Sequence, residues 1–280
     1  RPTHPGTSDT QGVSTDGAVS VILRAAEKIG IQVAFHLEPY PGRNVTTLRD
    51  DLKYLVDKYG SSKALAKIKN RPVYYVYDSY HISKGEWARL LTDDGDVSVR
   101  GGELDGVFIG LWLERHHGDE LEAFDGFYTY FAARGFSYGS APSNWKHMSA
   151  FAREKGKIFI ASVGPGYDDT RIRPWNAQNL RDRSNGEYYD RMWSEALDAG
   201  AQVVSITSYN EWGEGTQIEP AIVRDGYKDY GSGGPGMFME RTKRWSEALS
   251  IAFRARRGGE VNEDDDPSPK VSGVKLADDL

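Results

Sequence analysis

Apolar positions recur along the chain at two spacings, and the alternation between them carries most of the fold information. In "GAVSVILRAAEKIG", Val19, Ile22, Ala26 and Ile29 fall three or four apart, and Gly30 follows as a stop, which predicts a helix. "IQVAFHLEPY" reads as a strand. "TTLRDDLKYLVDKYG" is helical through Leu48, Leu52, Leu55 and Tyr59, opening on a threonine cap and closing at Gly60. "PVYYVYDSY" is a strand and "SKGEWARLLT" a short helix; "DGVFIGLWL" and "FDGFYTYFA" are strands. "NWKHMSAFAREKG" is a helix leading into the strand "KIFIASVGPGY". "NGEYYDRMWSEALDAG" is a helix leading into "AQVVSITSYN", and "GMFMERTKRWSEALSIAFRA" closes the pattern as a long helix.

Strand-then-helix repetition with short apolar strands predicts an α/β fold, a parallel sheet covered by helices. No Gly-x-Gly-x-x-Gly follows the first strand, which counts against a dinucleotide fold. Polar and aromatic residues gather where strands end: Glu38 and Tyr40, Asp78 and Tyr80, Tyr128 and Tyr130, Gly164 to Tyr167, Asn210 and Glu211. A (β/α)8 TIM barrel places its site at that end of every strand, whereas an open sheet concentrates it at one switch point. Six strands are expected, near residues 32–37, 73–77, 106–112, 126–130, 157–163 and 202–208. A barrel needs eight, so the expectation is a barrel lacking its first two strands, filling residues 1–257.

Composition narrows the function classes. With 39% hydrophobic and 27% charged residues, the 280-residue chain suits one sizeable core. It holds no cysteine, which excludes disulfides and thiolate chemistry. Net charge is −6, but seven acids and two lysines lie beyond residue 259, leaving the body close to neutral. That balance predicts no nucleic-acid partner. Residues 258–280, "GGEVNEDDDPSPKVSGVKLADDL", read as a disordered acidic tail, solvated rather than packed.

The densest chemistry follows the last strand, in "SYNEWGEGTQIEP" from Ser208 to Pro220. Carboxylates repel and are costly to desolvate, so Glu211 and Glu214 at a barrel mouth need a purpose. In an extended strand they would sit roughly 10 Å apart on opposite faces. They converge only if the chain turns after Trp212, and Gly213 and Gly215 permit that turn through positive φ. Two carboxyls facing one pocket are the tools of glycosidic cleavage, one donating a proton and one acting as base or nucleophile. A solvated loop face is the competing reading of an isolated Glu-x-x-Glu.

"FHLEPY", "YVYDSY", "FDGFYTYFA", "SVGPGYDDTRIRPWN" and "ITSYNEWGEGTQIEPA" occur in that order and closely resemble the endo-α-1,2-mannosidases of glycoside hydrolase family 99, over about Gln11 to Ala255. The resemblance implies a (β/α)8 barrel without a cofactor, acting endo on glucosylated mannose branches of high-mannose N-glycans with retention. It implies that Glu211 removes the proton of the mannose 2-hydroxyl and that a 1,2-anhydro sugar forms. It assigns to Glu214 protonation of the leaving oxygen and later activation of water. It also implies that Glu38 contacts the reacting sugar; a salt bridge with Arg43 is the alternative. Tyr130, nearer its strand end than Tyr128, is the better candidate for the site. Asn210 orients substrate or caps a turn, and Arg173 and Trp175 offer a charge and a stacking face for sugar. Animal relatives are Golgi-lumenal and held by an N-terminal membrane anchor, which would precede Arg1. A barrel hydrolase acting on another α-glycan, or an inactive carbohydrate-binding fragment, stays open as an alternative.

Other features point to less. The histidines suggest no metal site; His116 and His117, being adjacent, do not share a helix face and are expected at the surface. "YGSGGPGM" lacks the Gly-Lys-Ser/Thr of a phosphate loop. Asn44-Val45-Thr46 is an N-glycosylation sequon, meaningful in a secretory compartment.

Overall fold

The computed structural model describes residues 14–224 and 226–257. The expected acidic tail, 258–280, lies outside the described residues. The described chain divides into two compact units.

The first unit holds α1 (Asp16–Ile29), β1 (Phe35–Leu37), α2 (Val45–Tyr59), β2 (Lys67–Ile68), β3 (Arg71–Val76), α3 (Lys84–Leu91) and β4 (Val107–Leu111). β1, β3 and β4 are parallel, with Phe35 beside Tyr74 and Tyr74 beside Phe108. β2 pairs antiparallel with β3 through a turn at Lys69 and Asn70, both at positive φ. The core runs through Leu48, Leu52, Tyr74, Val76 and Phe108. α1 turns its face differently from the expectation. Leu23 and Ala26 are buried, while Ile22 and Ile29 are exposed. Asp16 explains the orientation. Its buried carboxylate accepts from Tyr54 (2.6 Å), Tyr59 (2.8 Å) and Lys58 (2.6 Å), tying α1 to α2. α2 is capped by Asn44 rather than a threonine. The Asn44 side chain accepts from the N–H groups of Thr46 and Thr47, and Thr47 reciprocates as the second half of a capping box. His117 also departs from expectation: it is buried and stacks on Tyr80 with ring centroids 4.4 Å apart.

The second unit holds β5 (Gly126–Tyr128), α4 (Pro142–Glu154), β6 (Ile158–Val163), α5 (Glu187–Asp198), β7 (Val203–Ile206) and α6 (Met237–Arg257). β5, β6 and β7 are parallel, in that order. Phe127, Phe159, Trp145, Met148, Tyr189, Trp193 and Phe238 form its core, each almost wholly buried. Both units therefore carry the parallel α/β pattern expected from the sequence. All six expected strands are present among the described residues, shorter than the apolar runs that announced them. The fourth ends at Tyr128 because Tyr130 adopts φ 57°, which no strand tolerates.

Candidate active site

The second unit gathers its polar side chains beyond the C-terminal ends of its three strands. After β7 the chain passes Thr207 and Ser208 and enters a single 3-10 turn, Trp212–Glu214. The turn is closed by Glu214 N–H to the Glu211 carbonyl (3.2 Å) and Gly215 N–H to the Trp212 carbonyl (3.2 Å). It is the turn that the two glutamates require. Gly215 closes it at φ 62°; Gly213 keeps an ordinary backbone within it, so only one of the two glycines supplies the left-handed step. Ser208 Oγ accepts from the Glu211 N–H at 2.9 Å. Trp212 is fastened from outside: its indole N–H donates to Glu219 at 3.0 Å. The third glutamate of the segment thus has a structural partner.

The loop after β6 supports the turn. The Asp168 N–H donates to the Glu214 carbonyl at 2.8 Å. The Asp168 side chain pairs with Lys228 at 2.7 Å and accepts from Thr170. Burial opposes ionisation there, yet Lys228 and Thr170 hold the carboxyl below its usual range. Arg183, buried, donates one nitrogen to the carbonyls of Gly215 and Gln217, each at 2.8 Å. A cleft of about 250 Å³ lies against this loop, lined in part by Asp168, Trp212, Tyr227 and Lys228.

The two glutamates stand in different electrostatic surroundings. Burial, and then the negative charge of Glu214, raise the Glu211 carboxyl above its ordinary range, while Arg173 opposes both. Glu214 lies against the Arg173 guanidinium, with Nη1 3.0 Å from Oε1. The same nitrogen sits 3.1 Å from Asp169, which is almost fully buried. Asp169 also accepts from the Tyr167 hydroxyl (2.9 Å) and from Asn176 (2.9 and 3.1 Å). Burial, the bond to Asp169 and the charge of Glu214 push the Tyr167 phenol upward.

The remaining expected residues divide. Tyr130 stands at the strand end, with its N–H donating to Ser162 Oγ at 2.6 Å and its ring edge-on to Tyr128 at 6.1 Å. Tyr128 is buried and belongs to the packing below it. Asn210 is exposed, and its carbonyl accepts from the Trp212 N–H at 2.9 Å. Trp175 is 77% exposed on a short helical turn. Arg173 faces the two carboxylates rather than standing apart as a surface charge. Glu38 belongs to the first unit. Its carboxylate meets His36 at 2.6 Å, not Arg43, which instead donates to the carbonyls of Tyr77 and Asp78. The expected salt bridge alternative therefore does not form.

Asp169, Asn176 and Arg183 are components that sequence reasoning passed over, and Tyr167 figures there only as a strand-end residue. The acidic doublet in "GYDDTRIRPW" was the available signal, since two adjacent acids just after a buried strand need partners. Among the described residues, no group of three His, Asp or Glu side chains is placed to hold a metal ion. No described helix is long and apolar enough to cross a membrane.

The chain is similar over most of its length to known proteins. The chain is 47% identical over 254 residues to the human glycoprotein endo-alpha-1,2-mannosidase-like protein, covering 87% of this chain and 56% of that one. It is 46% identical over 257 residues to the rat glycoprotein endo-alpha-1,2-mannosidase, covering 88% and 56%. It therefore spans little more than half the length of these relatives. The solved GH99 endo-alpha-mannosidase from Bacteroides thetaiotaomicron, a (β/α)8 barrel, matches with a TM-score of 0.81 at 47% identity, over 84% of this chain and 71% of that one. The profile of glycosyl hydrolase family 99 matches residues 7–251, and the chain belongs to that family.

Proposed function

We propose that the full-length protein is an endo-acting α-1,2-mannosidase that cleaves glucosylated mannose branches of N-linked high-mannose glycans, with Glu211 and Glu214 as its working carboxyls. One observation carries the reading: both glutamates lie on one short turn beyond a parallel strand, within a chain of this family. The names of the mammalian relatives support a glycoprotein substrate and a place in the secretory pathway; within that pathway we take the Golgi lumen as the compartment.

The chemistry follows from stereochemistry. In an α-mannoside, O2 and O1 lie trans, so O2 approaches C1 from behind. Glu211 takes the O2 proton, the O2–C1 bond forms and the C1–O1 bond breaks. Glu214 gives its proton to O1. A water then loses a proton to Glu214, its oxygen attacks C1, the C1–O2 bond opens, and Glu211 returns the proton to O2. Two inversions give retention. A base is most effective when its proton affinity is matched to the working pH, and burial, which raises the Glu211 carboxyl even while Glu214 carries its proton, suits it to that role. Glu38 and Tyr130 are the proposed sugar contacts, Asn210 orients the substrate at the turn, and exposed Trp175 offers a stacking face to a more distant sugar. Tyr128 contributes by supporting Tyr130.

The test is Glu214→Gln in the full-length protein. General acid catalysis contributes roughly a hundred- to ten-thousand-fold, so turnover of an α-1,2-linked mannoside with a poor leaving group should fall by that factor. An activated aryl leaving group should rescue the first step. A 2-deoxy or 2-fluoro substrate should be neither cleaved nor trapped. Near-normal hydrolysis by Glu214→Gln overturns the acid assignment, and a 2-fluoroglycosyl ester on Glu211 overturns the anhydro route.

A further inference from the structure

We propose that Asp169 is a positioning residue that holds Arg173 against Glu214, and that this fixed counterion sets the pH range in which the two glutamates work. The inference rests on the reading of Glu211 and Glu214 given above.

The geometry is a three-membered charge line. Asp169 is 1% exposed, a cost that a carboxylate bears only with several donors. It has three: Tyr167, Asn176 and Arg173. Its own carbonyl accepts from the N–H groups of Ile172 (2.9 Å) and Arg173 (2.7 Å), so Asp169 also starts the turn that carries the arginine. The Arg173 side chain is 43% exposed, so packing alone does not fix it. What fixes it is one guanidinium nitrogen shared between Asp169 at 3.1 Å and Glu214 at 3.0 Å. The bonds to Asp169 and then to Glu214 raise the proton affinity of the guanidinium, which stays charged throughout the working range.

Other charges nearby are already balanced or aimed elsewhere. Asp168 is paired with Lys228. Arg183 is directed at backbone carbonyls, and Arg171 lies over the Tyr227 ring at 4.0 Å. Glu219 is held by Trp212. Tyr167 is neutral at working pH, because burial and its bond to Asp169 raise it. Asp169 and Arg173 are therefore the pair through which a charge change reaches the two glutamates.

The signs are opposite for the two partners. Removing the cation makes the glutamate pair harder to ionise; replacing Asp169 by asparagine, whose amide oxygen still accepts from Arg173 and keeps it in place, removes only the negative charge behind it and makes the pair easier to ionise. The two glutamates interact, so the limbs of the pH profile belong to the pair.

The experiment is the pH dependence of kcat/KM for the full-length enzyme and three variants on one mannoside substrate. Arg173→Gln should move both limbs upward, by about 1 pH unit, the order expected for a unit charge within 4–6 Å of a carboxyl. Asp169→Asn should move both limbs downward. Arg173→Lys, which keeps the charge, should leave the limbs close to the wild-type positions even if kcat falls. A general loss of packing would not give shifts of opposite sign from adjacent residues. Carboxyl-carbon NMR titration of labelled glutamates in the same proteins reads the shifts without turnover. If the wild type does not cleave the substrate, the functional reading fails while the titration still decides this one. If Asp169→Asn does not fold, the Arg173→Gln and Arg173→Lys pair decides it. Limbs and titrations unmoved in Arg173→Gln, or moved in the same direction by Arg173→Gln and Asp169→Asn, overturn the proposal.

Discussion

At Tyr130 the order of stability between alanine and glycine should be the reverse of the usual one. Tyr130 has φ 57°, and the Phe131 N–H reaches back to the Thr129 carbonyl at 2.7 Å, so the chain makes a three-residue turn around it. A residue with a Cβ pays about 1–2 kcal/mol to sit in the left-handed region. Glycine escapes that cost but loses about 0.5–1 kcal/mol more than alanine through the entropy of the unfolded chain. Both variants lose the same tyrosine ring, so its contacts with Tyr128 and Phe131 cancel in the comparison. Tyr130→Gly should therefore be the more stable of the two by about 0.5–1 kcal/mol. At an ordinary strand position alanine would lead by a similar margin. The turn itself is held independently of the ring, by the Tyr130 N–H to Ser162 Oγ and by the Thr207 hydroxyl donating to the Tyr130 carbonyl. Denaturant or calorimetric unfolding of the two full-length variants measures the difference, equivalent to roughly 2 °C in Tm. Tyr130→Phe keeps the backbone and the ring, so its stability should match the wild type, while kcat/KM should fall about fivefold if one neutral hydrogen bond to sugar is lost. Alanine equal to or better than glycine at this position would refute the conformational argument.

Two further outcomes follow from charges around the turn of Glu211 and Glu214. Folding raises the Glu211 carboxyl, so its ionisation weakens the folded state once pH exceeds the unfolded value. Glu211→Gln should therefore be more stable than the wild type at neutral pH, with the advantage vanishing as pH falls below the ordinary glutamate range; thermal melts across pH 4–8 on the order of one unit apart check this. Burial pushes the Arg183 guanidinium down to about 10, still charged at neutral pH, and one of its nitrogens joins the Gly215 and Gln217 carbonyls. Arg183→Met leaves both acceptors without that donor and should cost about 2–4 kcal/mol in denaturant unfolding, with activity lost as the turn loosens. An unchanged midpoint would show that other donors replace it.

The sequence announced elements better than it announced their edges or their partners. Six apolar runs marked the six parallel strands, most clearly β4, β5 and β6, where burial on both faces requires an apolar run throughout. β2 escaped notice because two residues make no period. The start of α2 was misread because Thr46 and Thr47 supply N–H groups to a cap whose side chain is Asn44, a distinction of geometry rather than composition. On α1, four apolar residues at helical spacing suggested a face that Asp16 overrides, since a buried carboxylate must meet its three donors on α2. In the candidate site, Glu211 and Glu214 were legible because they are local. Arg183, and the pairing of Arg173 with Glu214, were not, because their meaning lies in partners far along the chain. Arg173 reaches Glu214 across 41 positions, and Arg183 reaches Gly215 across 32.

That difference in range separates two properties usually treated together. The spacing of the two glutamates is written into four consecutive residues and closed by hydrogen bonds no longer than one helical turn. Their charge balance is written into a different loop, after a different strand. The carboxyl pair can therefore be inherited or transplanted as a single piece, whereas its tuning must be rebuilt wherever the piece lands. Across related chains, the same glutamates at the same separation are free to work at different acidities, according to what the loop after β6 brings to meet them.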